Sequence, residues 1–369
     1  MTSPMTGSPT TLALRTLTPG PHLAREVGAT DEEFLHWLGG PTILNVPHPN
    51  ATRTRGLSTL LHGNEPSGLR ALHSWLRAGA PAKTNVIAFV GSVWAALTPP
   101  LFSHRMLPGH RDLNRCFRPP FNQIANATDA ELTIAAQAIS QLCNARCESL
   151  LDIHNNSGHN PSYGLGVAAD PIHLALTAPF ATRYVLTELR MGALMELDGP
   201  AAGCPVVTIE CGRAGDPAAD AVAITGLSRY FELDSLEIPG IEQLITVLID
   251  PVRVTVKPGL KLAFGERAHA GADLTLARDV DRHNFQRLSP GTVIGWVPQG
   301  SSQASSPALP QSLPIFAHDK AERDLASALF TIHQTELRLA APRIPIMMTT
   351  DPRIAADDCL FYLCRERIT

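Results

Sequence analysis

No uninterrupted apolar run in this sequence is long enough to cross a bilayer, so no helical membrane span is expected. Neither sign of charge dominates: 30 Lys and Arg stand against 34 Asp and Glu, a net charge of −4. Such a balance lacks the electrostatic footprint that nucleic acid or an anionic membrane surface requires. The basic residues are scattered, apart from a short cluster between Arg105 and Arg118. Cysteine is sparse as well, with seven in 369 residues and no C-x-x-C pair. An odd number at low density argues against a disulfide framework and for a reduced, cytoplasmic protein. Cys143 and Cys147, four apart on a predicted helix, are read as small core residues rather than ligands. The opening residues lack the apolar segment of a secretory signal. Met1–Thr18 is rich in Ser, Thr and Pro, so a loose tail is expected there. Internal repeats are also missing.

What is present is an ordinary globular composition, 44% apolar and 17% charged, in a chain long enough for one large domain and a smaller one. From Leu57 to about Tyr230, short apolar runs alternate with helical patterns. Strands are predicted over Leu57–Leu61, Asn85–Val90, Ser149–Ile153, Gly164–Ala168, Arg183–Glu188 and Pro205–Ile209. Helices are predicted over Pro66–Gly79, Asp129–Cys147 and Asp216–Phe231, with Leu69, Leu72 and Leu76 at helical spacing in the first and Asp129 capping the second. This alternation implies an α/β domain with a largely parallel or mixed sheet covered by helices, assigned to residues 1–245. From about Gly240 onward, short β-like pieces such as Val252–Val256, Lys261–Ala263 and Thr292–Val297 alternate with Pro-Gly turns, which predicts a β-rich domain over 246–369. Within it, Gly300–Ser312 is rich in Ser, Pro and Gln and is expected to be an exposed mobile loop.

Ligands on open α/β sheets bind beyond strand ends, which directs attention to the polar residues there. The strand at Leu57–Leu61 leads straight into His62-Gly63-Asn64-Glu65. An imidazole and a carboxylate three residues apart on a strand-to-helix loop can turn toward one point, and Gly63 is expected to let the chain bend between them. The pattern alone is weak, because His333-Gln334-Thr335-Glu336 matches it too; that copy, with no strand predicted before it, is assigned to surface or packing. A second strand ends in Asp152-Ile153-His154-Asn155-Asn156, delivering another imidazole. Two His and one Glu make a catalytic zinc shell with a fourth position left open. A third strand end places Glu210 after Val206–Ile209, where a carboxylate beside a metal could take a proton from water and pass it to a leaving amine. Between these lies the Arg105–Arg115 stretch. On charge alone this stretch reads as a solvated basic loop; in a catalytic site, Asn114 and Arg115 can grip a substrate carboxylate, and a further Arg can polarise a scissile carbonyl.

His62-Gly63-Asn64-Glu65, Asp112-Leu113-Asn114-Arg115, Asp152-Ile153-His154-Asn155 and Thr208-Ile209-Glu210 occur in the order and rough spacing of the succinylglutamate desuccinylase/aspartoacylase family, a branch of the zinc carboxypeptidase-like superfamily. The chain resembles that family from about Leu57 to Gly212, and its β-rich end looks like the family's second domain. The resemblance implies a central mixed sheet flanked by helices and one zinc ion per chain on His62, Glu65 and His154. It implies Glu210 as general base, Asn114 and Arg115 on the substrate carboxylate, and Asp112 as the carboxylate that orients the His62 ring. Arg105 and Arg111 both lie near the place of the carbonyl-polarising arginine; Arg105 is favoured because Arg111 adjoins Asp112, and Arg111 is assigned to substrate binding. The loops Asn155–Tyr163 and Arg213–Asp220 would shape the pocket, and Tyr163 is as compatible with lining it as with packing at a loop base.

The function so implied is hydrolysis of the amide bond in an N-acyl amino acid or a related small molecule. A metallocarboxypeptidase acting on short peptides would use the same machinery, and a catalytically silent ligand- or partner-binding protein is the alternative of another class. The second domain leaves room for homo-oligomerisation.

Overall fold

The structure, a computed structural model, describes residues 13–20, 22–118, 129–298, 312–357 and 359–367. The loop expected over Gly300–Ser312 therefore lies, but for Ser312, outside the described residues, as do residues 1–12 of the expected tail. The remainder of that tail is not loose. Arg15–Leu17 is a strand that pairs in parallel with Thr42–Val46, and the Arg15 guanidinium donates to the Leu38 carbonyl. Tertiary pairing overrides a local sequence that has little intrinsic β pattern.

Two compact units divide the chain: residues 1–155, 163–182 and 190–245 form the first, and 156–162, 183–189 and 246–369 the second. In the first unit the strands run in the order Arg15–Leu17, Thr42–Val46, Asn85–Val90, Thr54–Thr59, Ser149–Asn156, Val206–Arg213 and Tyr163–Gly166. Thr54–Thr59 lies parallel to both Asn85–Val90 and Ser149–Asn156, whereas Thr42–Val46 is antiparallel to Asn85–Val90 and Tyr163–Gly166 is antiparallel to Val206–Arg213. The sheet is mixed, and helices flank it.

Several strands begin or end away from their predicted limits because polar residues occupy their interiors. Thr54–Thr59 starts three residues early, on account of Arg55, which is fully buried. Its Nε donates to Glu148 Oε1 at 2.7 Å and its guanidinium also reaches the Tyr230 carbonyl, so burying the charge leaves it paired. Ser149–Asn156 continues through His154, and Val206–Arg213 continues through Glu210. His154 and Glu210 thus stand on strands rather than on loops after them.

Three helices fall close to expectation: Ser67–Arg77, Ala130–Asn144 and Pro217–Glu232. Asp129 and Asp216 cap the last two by accepting hydrogen bonds from Leu132 N and Ala218 N. A further helix, Asp31–Leu38, starts with a capping box formed by Thr30 and Glu33. Leu69, Leu72 and Leu76 are buried, as the helical spacing requires. Ser67 Oγ and Arg70 Nη1 hold the two oxygens of Asp220 at 2.6 and 2.8 Å, fastening Ser67–Arg77 to Pro217–Glu232.

In the second unit Thr246–Val256 is the central strand. Arg183–Leu186 pairs with it in parallel, and Phe361–Glu366 and Ile315–His318 pair with it antiparallel. A separate sheet runs in the order Leu262–Gly265, Leu274–Ala277, Val293–Trp296, Glu336–Leu339 and Phe330–His333. Leu276, Ile294, Phe330 and Leu337 belong to the core of this unit. The second H-x-x-E copy does have a strand before it: His333 ends Phe330–His333, Gln334 takes a positive φ of 58°, and Glu336 opens the returning strand. His333 and Glu336 face each other across that hairpin, but Glu336 pairs with Arg338.

Candidate metal centre

After Thr59 the chain turns sharply at Leu60, whose φ is 55°, and Ser92 fastens the turn by donating from its backbone N to Leu60 O and from Oγ to Leu61 O, at 2.6 and 2.7 Å. His62 and Glu65 follow on the short link to the Ser67–Arg77 helix. The bend belongs to Leu60, and Gly63 answers a different need. A Cβ on Gly63 would stand 2.6 Å from Ala96 N and 2.7 Å from His104 O, so only a residue without a side chain lets these segments touch. Gly63 N donates to Arg105 O at 2.9 Å, which brings the Arg105–Arg115 stretch against the His62–Glu65 link.

His62, Glu65 and His154 come together with relative exposures of 4, 7 and 3%. Their candidate ligand atoms lie within 4.8 Å of one another. His62 Nδ1 is 2.8 Å from Glu65 Oε1, and His154 Nδ1 is 2.7 Å from Glu65 Oε2. Each ring meets another carboxylate on its far side: His62 Nε2 lies 3.1 Å from Asp112 Oδ1, and His154 Nε2 lies 2.8 Å from Asp152 Oδ2. Outer carboxylates favour the tautomer with hydrogen on Nε2, which turns both Nδ1 lone pairs and the Glu65 carboxylate toward one point. Three acceptors converging in a buried, anionic setting are satisfied together by a divalent cation, so this donor set fits a metal ion of the zinc type. Burial works to raise the Glu65 pKa, but the two imidazoles overcome it and hold the carboxyl well below the usual range. Asp112 is held low in the same manner by His62, Arg105 and Arg115.

Glu210 stands on Val206–Arg213, opposite Tyr163 in the ladder. Tyr163 itself is fully buried. One Glu210 oxygen, Oε2, is buried without a hydrogen-bond partner. Burial pushes the Glu210 carboxyl up to about 8, with His154 opposing and Glu65 and Asp152 adding to the rise.

The two arginines differ. Arg105 donates from Nε and Nη2 to Asp112 Oδ2 at 3.1 and 2.9 Å, and its Nη1 is 3.6 Å from Glu65 Oε1. Arg111 is exposed, and its Nε donates 2.8 Å to Asp129 Oδ2 at the start of the Ala130–Asn144 helix. The structure brings the first to the His62, Glu65 and His154 group and turns the second to a helix cap. Asn114 is buried; its Oδ1 accepts from Leu194 N at 3.0 Å, and its Nδ2 is 3.5 Å from His154 Nε2. Arg115 is half-buried and donates from Nη1 to Asn114 O at 2.9 Å.

Residues 52–228 match the succinylglutamate desuccinylase/aspartoacylase catalytic domain. Residues 52–228 belong to the succinylglutamate desuccinylase/aspartoacylase family. Every site residue named above falls within that desuccinylase/aspartoacylase region. Among solved structures, the chain is similar to a succinylglutamate desuccinylase/aspartoacylase from Rhodobacter sphaeroides, at 15% identity with 88% of each chain covered and a TM-score of 0.58. It is also similar to the product-bound ectoine utilization protein EutE (DoeB) from Ruegeria pomeroyi, at 17% identity, 87% of each chain and a TM-score of 0.53. Murine aminoacylase 3 matches at 14% identity over 87% of this chain and 97% of that one, with a TM-score of 0.52. These likenesses extend the shared fold beyond the catalytic domain. Among curated proteins no sequence matches the chain.

Two residues at this desuccinylase/aspartoacylase site escaped the sequence reading. Asp152 stands two residues before His154 on one strand. The period-2 rule puts both on the same face, so D-x-H within a strand was a usable signal. Asn155 joins three motifs: its backbone N donates to Glu65 Oε2, its Oδ1 accepts from Ser67 N, and its Nδ2 donates to Ser67 Oγ and Gly212 O. No local pattern announces such a hub, because its partners are 57 to 90 residues away.

Proposed function

We propose that the chain is a zinc-dependent deacylase, hydrolysing the amide of an N-acyl amino acid or a similar small carboxylate-bearing compound, with one zinc ion on His62, Glu65 and His154. The convergence of two imidazole Nδ1 atoms and the Glu65 carboxylate within 4.8 Å carries this reading. When bound, the ion supplies Lewis acidity, lowering the pKa of water and drawing electron density from a carbonyl oxygen.

The chain's own residues supply the rest. Glu210 takes a proton as the water oxygen bonds to the carbonyl carbon, and returns it to the nitrogen as the C–N bond breaks. A buried carboxyl with an elevated pKa is a stronger base, once ionised, than an exposed one, which suits that transfer. Arg105 brings positive charge to the edge of Glu65, where an oxyanion would gain stabilisation. Arg115, with no carboxylate partner among the described residues, is the donor fork for a substrate carboxylate. Asn114 commits its oxygen to Leu194 and keeps amide hydrogens to offer beside it. Asp112 and Asp152 orient the two rings. The cysteines, all free, suit the reducing interior of a cell, and among the described residues no helix is long and apolar enough to cross a membrane.

Zinc-loaded protein should turn over N-acetyl or N-succinyl amino acids and leave short peptides intact. Turnover of peptides alone would replace this reading with a carboxypeptidase; full zinc occupancy with no turnover of either class would leave a binding protein.

A further inference from the structure

A cleft of about 260 Å³ lies in the second unit, and every residue that lines it belongs to that unit. It has the volume of about eight or nine liquid waters. Six charged groups on its wall are already matched in pairs: Lys320 with Glu188, Arg323 with Asp319, and Arg365 with Asp250. One cation remains over. Arg343 donates from Nη1 only to the carbonyl of its neighbour Pro342, at 2.8 Å, and no carboxylate pairs with it among the described residues. Partial burial and the nearby Arg365 pull its pKa below the ordinary arginine value, and Asp250, whose carboxylate is already paired with Arg365, offsets this only in part.

The remainder of the lining is apolar and incompletely covered. Leu186, Leu189, Ile249 and Leu325 are each only half-buried, although leucine and isoleucine of a β-rich core are normally enclosed. The cleft thus sets one guanidinium without an ion-pair partner beside an aliphatic wall, a polar group to fix orientation next to apolar surface to be covered.

We propose that this cleft binds a small organic monocarboxylate, its carboxylate on the fork of Arg343 and its aliphatic body on Leu186, Leu189, Ile249 and Leu325. Charge selects the class. A single negative charge completes the pairing of the wall, whereas a doubly charged phosphate would face Glu188, Asp250 and Asp319 with only one free cation to meet it. An organic cation would confront Arg343 directly.

Calorimetric titration of the full-length protein with hexanoate, hexylammonium and inorganic phosphate tests this. Hexanoate should bind saturably at millimolar concentration, and hexylammonium and phosphate should not. Because a carboxylate can also visit the metal centre, the decisive comparison is between variants. Arg343→Gln should weaken hexanoate binding by about tenfold or more, the loss expected when a charge-assisted pair is removed. Arg115→Gln, in the other unit, should leave that binding unchanged. A second cleft variant, Leu189→Glu, should abolish it by placing a like charge on the apolar wall. The proposal fails if hexanoate binds Arg343→Gln as tightly as the parent, if phosphate binds better than hexanoate, or if Arg115→Gln removes the saturable event.

Discussion

Each imidazole of the candidate metal centre is held between two carboxylates, Glu65 on the inner side and Asp112 or Asp152 on the outer. The outer partners fix which nitrogen carries the hydrogen, and so decide whether the inner lone pairs can bind a cation at all. Asp152→Asn keeps an oxygen near His154 Nε2 but removes its charge, and zinc affinity should fall by about 10- to 100-fold. Competition against a calibrated chelator measures this; a lower melting temperature with unchanged affinity would mark Asp152 as merely structural. Glu210 predicts the opposite split. It is not one of the three ligands, so Glu210→Gln should retain its zinc, measured by elemental analysis, while kcat drops by about 10²- to 10⁴-fold. Undiminished turnover in that variant would remove Glu210 from the chemistry.

At the level of elements, the helix Ser67–Arg77 begins without a cap of its own, since Pro66 makes no side-chain cap hydrogen bond. Asn155 Oδ1, from a strand 88 residues on, takes the Ser67 N–H instead. The helix Pro171–Thr177 carries a different device. His173 Nε2 lies 2.7 Å from Asp198 Oδ1, and its Nδ1 is 2.9 Å from Asp170 Oδ1. Asp198 Oδ1 also accepts from Val206 N, tying this helix to the strand that bears Glu210. Burial works against the His173 charge, but Asp198 and Asp170 prevail and raise its pKa above the ordinary 6.5. A histidine raised in the folded state contributes stability that is complete below its unfolded pKa and is lost as pH rises through the folded one. Denaturant unfolding between about pH 6 and 9 should therefore show the parent losing its advantage over His173→Gln as pH increases. A difference constant across that range would mean the clamp holds without charge.

For the whole molecule, ligand linkage makes metal removal visible in stability. Zinc at a hundredfold excess over its dissociation constant should contribute about 2.7 kcal/mol, so chelation should lower Tm and zinc should restore it. A Tm indifferent to chelator and zinc alike would refute a resident ion. How far this architecture was legible follows the range of the interactions. The Ser67–Arg77 helix and the strand Asn85–Val90 announced themselves through local periodicity and caps, and the metal-binding trio through His and Glu at strand ends. Arg55 hid the start of its strand, because a buried arginine looks polar until Glu148 and Tyr230 are known to meet it. Arg105 could be preferred over Arg111 only weakly, since the Asp129 that holds Arg111 lies 18 residues away.

The three-residue strand at Arg15–Leu17 has a consequence for handling the protein. It occupies the hydrogen-bonding margin of Thr42–Val46, a mostly buried, aliphatic segment that would otherwise present an unpaired backbone ladder. Trimming the chain past Thr18 should uncover a sticky seam, seen in light scattering as concentration-dependent self-association of a protein whose His62, Glu65 and His154 cluster is untouched.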